Sequence, residues 1–267
     1  MFRTIVYFAA CIAVLGCAMP SHAQQLDCAY TFASAPGATY LHFCVSPTET
    51  LIQLQTHPND DLISESYIGF GGKREGAEGY GLCNESPAMA YWDYFNDYSF
   101  SSNWDDASIV SSTAKSVKIA RTTSDGNWTL TQTFTADTIT PAVKLTMALK
   151  NNTKTARVAY LVRFAGAPTT FYNASSTGGM TFAWRQSSPV ENEGDGLVVQ
   201  NYGAPKFGFM NSYVWLGGGP PNPCDFAAHA VSEVQVYNST GELGMAYVGS
   251  VAAKQTKSAT IIYKGMF

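Results

Sequence analysis

Residues 88–106 read AMAYWDYFNDYSFSSNWDD and interleave aromatic rings with carboxylates and amides. Aromatic faces stack on the apolar faces of sugars, and Asp and Asn exchange hydrogen bonds with hydroxyls, so this composition suits a carbohydrate platform. Trp92 and Trp104 are the candidates for stacking; Asp93, Asp97 and Asp105 are the candidates for hydroxyl contacts. Aromatics are also ordinary strand formers, and alternation sets Trp92 and Tyr94 on the side opposite Tyr91, Asp93 and Phe95, so one set is expected in the core. Trp104 lies beyond that run, in a stretch read as a loop, and is expected to carry little packing. The acids Asp93, Asp97, Asp105 and Asp106 would also suit paired-carboxylate glycoside hydrolysis, although nothing in their spacing assigns acid and nucleophile.

Other chemistries find less support. Nucleophilic hydrolysis commonly uses a serine on a glycine-flanked turn, and no Gly-x-Ser-x-Gly occurs. His42 stands two residues from Cys44, but His57 and His229 have no His or Cys at ligand spacing, so no metal site is expected. Glu191, Glu193, Asp195 and Gly196 resemble the start of a calcium loop, but the closing position holds Tyr202 where a bidentate carboxylate is required. That segment is read as an acidic turn. No cofactor is expected.

The chain opens with Arg3 before an uncharged, largely apolar run to Met19, followed by Pro20-Ser21-His22-Ala23. Those parts make a secretory signal peptide, residues 1–23, with the mature domain at 24–267. Val14-Leu15-Gly16-Cys17 is the rival, a lipoprotein-type site that would anchor the protein at Cys17. Cleavage after Ala23 leaves Cys28, Cys44, Cys83 and Cys224, an even set suited to disulfides in an oxidising compartment. A Cys28–Cys44 bond centres a hairpin on Pro36, within the turn Ala35-Pro36-Gly37. Cys83 and Cys224 then pair by elimination, between two Gly/Pro-rich segments read as loops. No transmembrane helix is expected in the mature chain. The formal net charge is −4, and no Lys/Arg run along the sequence could neutralise phosphates, which argues against a nucleic-acid partner.

The elements that must position these residues are strands. In 127–135, Trp128, Leu130 and Phe134 alternate with Thr129, Thr131, Thr133 and Thr135; 142–150 and 158–164 alternate likewise about the Asn151-Asn152-Thr153 turn. These three runs are read as an antiparallel meander. Further strands are expected at 26–32, 39–46, 50–55, 64–70, 89–95, 115–121, 181–185, 197–202, 213–216, 232–237, 244–251 and 258–264, with irregular segments at 71–88, 98–107, 165–180, 186–196 and 217–225. No helical stripe with caps appears. The pattern predicts an all-β, antiparallel β-sandwich in a single domain.

The run WTLTQTFT…TPAVKLTMALKNNT…VAYLVRFAG, between Trp128 and Gly166, resembles the paired long strands of secreted bacterial sandwiches of the galactose-mutarotase-like group. The resemblance implies the fold and carries over no catalytic residue: Arg163 is followed by Phe164-Ala165-Gly166 where an acid is common. The function expected is an exported, non-catalytic binding or surface module with a composition suited to carbohydrate. The alternatives are a sugar-acting enzyme using carboxylates, or an outer-membrane barrel, for which Ile261 and Tyr263 alternate towards Phe267.

Overall fold

The computed structural model describes residues 27–35, 39–58, 62–64, 78–85, 92–97, 101–166, 171, 173–184, 196–215, 223–224, 234–236 and 242–266, with backbone only at 64, 85, 92–97, 209, 215 and 234–236. The expected signal peptide and the acidic turn at 191–195 lie outside these residues.

Three antiparallel sheets share one core. The first is small: β1 (Tyr30–Ala33), β2 (His42–Val45), β3 (Leu51–Gln55) and β4 (Ile63–Ser64), in that order. The second has nine strands and is built around β10 (Trp128–Asp137), β11 (Ala142–Asn151) and the C-terminal β19 (Thr256–Gly265). On one side β9 (Ser116–Thr122) and β8 (Ser108–Thr113) extend it; on the other come β15 (Gly196–Asn201), β14 (Met180–Trp184), β13 (Asn173–Thr177) and β17 (Val234–Val236). The third, facing the second, has the order β16 (Phe209–Trp215), β18 (Glu242–Val251), β12 (Arg157–Gly166), β5 (Glu78–Glu85), β6 (Trp92–Asp97), β7 (Ser101–Ser102). The architecture is an all-β antiparallel sandwich in a single domain.

Alternation explains the nine-stranded sheet. Along β10 each of Trp128, Leu130, Gln132 and Phe134 is buried, whereas each threonine between them is only partly covered. Val143, Leu145, Met147 and Leu149 of β11 continue the inward face, as do Ala259, Ile261 and Tyr263 of β19. Ile261 and Tyr263 therefore face a packed interior. Among the described residues the sheets end in unpaired strands, at β8 and β17 for example, as the layers of a sandwich do and a closed barrel does not.

The meander expected from 127–164 is corrected. β10 and β11 pair as read, with Trp128 opposite Asn151, but β12 leaves that sheet and pairs with β18 and β5. Leu161 to Ala165 are buried without interruption, because both faces of β12 are covered, and a strand buried on both faces belongs inside a layer. Asn151 holds the corner between the layers, its Nδ2 donating to Thr155 O (2.8 Å) and to Val251 O (2.9 Å).

Strand β5 lies in a stretch expected to be irregular. Tyr80 and Leu82 face the core while Gly79 and Gly81 take the other face, so the alternation is present but glycine conceals it. A Cβ on Gly81 would sit 2.8 Å from Pro223 Cβ, so the segment entering Cys224 rests directly on this strand. The small sheet closes one end of the sandwich: Phe43, Leu51, Leu54 and Leu62 join the common core, and Gly265 of β19 lies beneath Thr56 and Leu62.

Candidate functional site

Cys83 is bonded to Cys224, with Cα atoms 5.0 Å apart, and Cys28 to Cys44, with Cα atoms 5.5 Å apart. Neither arrangement matches the local geometry expected from the sequence. Cys83 belongs to a central strand rather than a loop. Cys44 stands opposite Thr31, three positions along from Cys28, and the ladder slips where Ala29 N–H donates to Val45 O (2.8 Å), so the bond closes beyond the end of the paired segment.

The candidate ligand residues fall in two separate places along the fold, strand β6 and the segment that bridges to Thr123. β6 pairs with β5 so that Asp93 shares a register row with Cys83, Phe95 with Gly81, and Asp97 with Gly79. That row system is the one on which Pro223 and Cys224 rest. The side chains of Trp92, Asp93 and Asp97 lie outside the described residues. Trp104 sits elsewhere. Its ring meets Tyr80 edge-on (centroids 5.5 Å apart) and lies under the Arg121 guanidinium (5.5 Å), and Tyr80 is on the inward face of β5. Strand β5 thus separates Trp104 from the Cys83–Cys224 bond. Trp104 also forms a bridge with Thr123 and packs against the core, which corrects its reading as a loop residue with little packing. Asp105 beside it is exposed; its N–H donates to Thr122 O (2.9 Å) and its carbonyl accepts from Arg121 Nε (2.9 Å).

Between the sheets lies a polar network not anticipated from the sequence as a unit. Arg163 of β12 is fully buried and forms a two-point pair with Glu78 of β5, with its Nη2 donating to Glu78 Oε2 at 2.6 Å. Arg163 Nη1 donates to Gln132 Oε1 (2.6 Å), and Gln132 Nε2 donates to Glu49 Oε2 (2.9 Å). Tyr80 OH also donates to Glu49 Oε2 (3.1 Å), Tyr263 OH donates to Glu78 Oε1 (2.5 Å), and Arg121 Nη1 reaches Tyr80 OH (3.2 Å). The network therefore draws on all three sheets. Gln132 was the visible sign, since it occupies an inward position between Leu130 and Phe134.

Glu49 enters this network from a strained turn. Ser46 N–H donates to Thr50 O (2.9 Å), and Ser46 Oγ accepts from the N–H groups of Thr48 (3.2 Å) and Thr50 (3.0 Å). That tight loop between β2 and β3 sets Glu49 at φ 71°, a left-handed conformation that costs a non-glycine residue about 1 kcal/mol. Burial raises its carboxyl to about 7, against the pull of hydrogen bonds from Gln132 and Tyr80 and of the Arg121 and Arg163 charges. Its Oε1 has no hydrogen-bond partner. Burial also raises Glu78, opposed by the Arg163 charge and by donors from Tyr263, Arg163 and Leu51. For Arg163, burial acts against the charge, yet Glu78 and Tyr263 more than offset it and the guanidinium is held above its ordinary range. Glu49, Glu78, Tyr80, Arg163 and Tyr263 have no solvent exposure, so their perturbed acidity arises inside the packed core.

Among the described residues no group of three or more His, Cys, Asp or Glu is arranged to hold a metal ion, and no helix is long and apolar enough to cross a membrane. No protein-family model matches the chain, and no curated protein matches it. Among solved structures it is similar to a putative aldose 1-epimerase from Escherichia coli K12, at 10% identity and TM-score 0.52, over 89% of this chain and 99% of that one. It is also similar to a bacterial glucoamylase complexed with acarbose, at 8% identity and TM-score 0.50, over 88% of this chain and 33% of that one. A polysaccharide lyase aligns over 87% of this chain and 33% of its own, at 10% identity and TM-score 0.49. The chain thus spans about a third of the glucoamylase and of the lyase. Identity this low shows the fold alone, a large antiparallel β-sandwich.

Proposed function

We propose that the protein is an exported carbohydrate-binding module that carries no catalytic centre of its own. The observation that carries this reading is the contrast between the fold, shared with proteins named for acting on sugars, and the sealing of its perturbed acids inside the core. Glu49 and Glu78 are fully buried, which favours a role in the fold over one in a reaction. The two disulfides are compatible with an extracytoplasmic address, reached by cleavage of residues 1–23.

The proposed ligand contacts are Asp93 and Asp97, in the register rows of Cys83 and Gly79, and Trp92, in the alternate row of Asn84, with Trp104 and Asp105 forming a separate group. The covalent tie from Cys224 to β5 favours binding because a preorganised cleft loses little entropy when a weakly interacting sugar enters. A second reading, a sugar-acting enzyme using Asp93 and Asp97, draws on the two similar structures named as an aldose 1-epimerase and a glucoamylase. A glycan array probed with the mature chain, followed by product analysis on any hit, separates the two. Saturable binding with the glycan recovered intact supports the module, turnover supports the enzyme, and the absence of any binding overturns both.

A further inference from the structure

The outward face of the nine-stranded sheet collects lysines that are scattered along the sequence. Lys118 of β9 shares a row with Thr133 and Thr146; Lys144 shares one with Thr135; Lys150 shares one with Thr129; Lys264 lies on β19, opposite Ala142. All four side chains are exposed or partly exposed. Lys144 and Lys150 are separated along β11 by roughly 20 Å at the usual strand rise. The chain as a whole carries a net charge of −4, so this face is segregated charge rather than part of a basic protein. Among the described residues the rows of Lys118, Lys144 and Lys150 hold no carboxylate, and Asp137 shares the Lys264 row through Ala142. Asp137 closes one end, where its Oδ1 accepts from the N–H groups of Ile139 (3.0 Å) and Thr140 (3.2 Å) in the turn.

Hydroxyls fill the spaces between the charges. Thr146 and Thr260 hydrogen-bond across β11 and β19 (3.0 Å), and Thr122 and Thr129 do so across β9 and β10 (3.1 Å). Rings flank the field on its β14–β15 side. Phe182 and Trp184 lie together on the outward side of β14 with centroids 5.3 Å apart, and Lys144 Nζ stands 4.1 Å from the centroid of the exposed Tyr202 ring.

We infer that this face is a second binding surface, for an extended acidic polysaccharide bearing carboxylate or sulfate groups. The inference rests on the carbohydrate reading above and adds the class of glycan. Lysine point charges attract an anionic chain, threonine hydroxyls exchange hydrogen bonds with its sugar hydroxyls, and the aromatic flank offers a stacking edge. Arginine, the usual reader of phosphate through its planar fork, is absent from these rows, which separates the face from a nucleic-acid or phospholipid surface.

The test is affinity electrophoresis of the mature chain through gels containing polygalacturonate, chondroitin sulfate or a neutral galactan, at low and high salt. A Lys118→Gln/Lys150→Gln/Lys264→Gln variant is run beside it, with its unfolding midpoint as the control for folding. The expected result is retardation by an acidic glycan that weakens with salt and falls by about tenfold or more in the triple variant, as loss of several screened charge contacts requires. Equal retardation of the variant overturns the inference. Binding of neutral galactan alone overturns the acidic class while leaving the carbohydrate reading intact. Selective binding of phosphatidylglycerol vesicles or of oligodeoxythymidylate, with no glycan retained, overturns the inference and removes its basis as well.

Discussion

At the scale of single residues, Glu49 makes the sharpest statement about how this chain tolerates charge in its interior. Its carboxyl is raised from an ordinary 4.5 to about 7 by burial, so the folded state binds its proton more tightly than the unfolded state does. A raised folded value contributes stability that is fully present below the unfolded value and is lost as pH rises through about 7. By linkage the difference is worth at most about 3 kcal/mol. Urea unfolding of the wild type is expected to give a lower midpoint at pH 8 than at pH 5, roughly the window between those values. Glu49→Gln keeps the acceptor for Tyr80 and Gln132 and is expected to flatten that dependence. An unchanged slope in the variant would assign the pH response to other groups. Trp104 gives a second residue-scale prediction. Trp104→Ala removes a ring packed on Tyr80 and Arg121 and is expected to destabilise by about 1–2 kcal/mol in chemical denaturation, whereas an unchanged midpoint would return it to the role of a surface ring. Gln132 was a missed signal, a polar residue in the otherwise apolar row of Trp128, Leu130 and Phe134. Nothing in the sequence marked Glu49, whose entry into the core depends on a turn geometry and on partners far along the chain.

At the scale of elements, long strands with one solvated face were legible because their side chains alternate cleanly; β10, β11 and β19 lie close to the expected ranges. β5 and β13 were missed for physical reasons. In β5 the first two positions alternating with Tyr80 and Leu82 are Gly79 and Gly81, which removes side chains that signal a strand, and β13 is built largely of serine and alanine. β12 was found but assigned to the wrong sheet, because alternation reports a strand and its faces but not its neighbours. The glycines of the third sheet carry a function of their own. Gly244 of β18 lies directly beneath the ring of Tyr213 on β16, in the space a Cβ would occupy. Gly244→Ala is therefore expected to displace a buried tyrosine and lower stability by roughly 1–3 kcal/mol, measured by the denaturant midpoint. An unchanged midpoint would mean that Tyr213 repacks freely and that the close approach is unimportant.

At the scale of the whole molecule, fold class was readable from composition and period, and the number of mature cysteines together with turn chemistry led to the bonded pairs. Sheet order was not, since the central contact of β11 with β19 joins segments more than a hundred residues apart. The candidate site was legible only as composition. The residues of 92–105 were visible as a cluster, but the separation of strand β6 from Trp104, and the gathering of Lys118, Lys144, Lys150 and Lys264 on the second sheet, depend on pairing that no local pattern encodes. The proposed function is binding of carbohydrate that leaves the ligand unchanged. The most direct measurement is isothermal titration of the mature protein with an array-selected oligosaccharide, with the ligand recovered and weighed by mass spectrometry. The expected result is a saturable isotherm that weakens when Asp93 and Asp97 are changed to Asn, and a ligand of unaltered mass. A shortened or otherwise modified ligand, or an isotherm indistinguishable from dilution for every oligosaccharide, would contradict it.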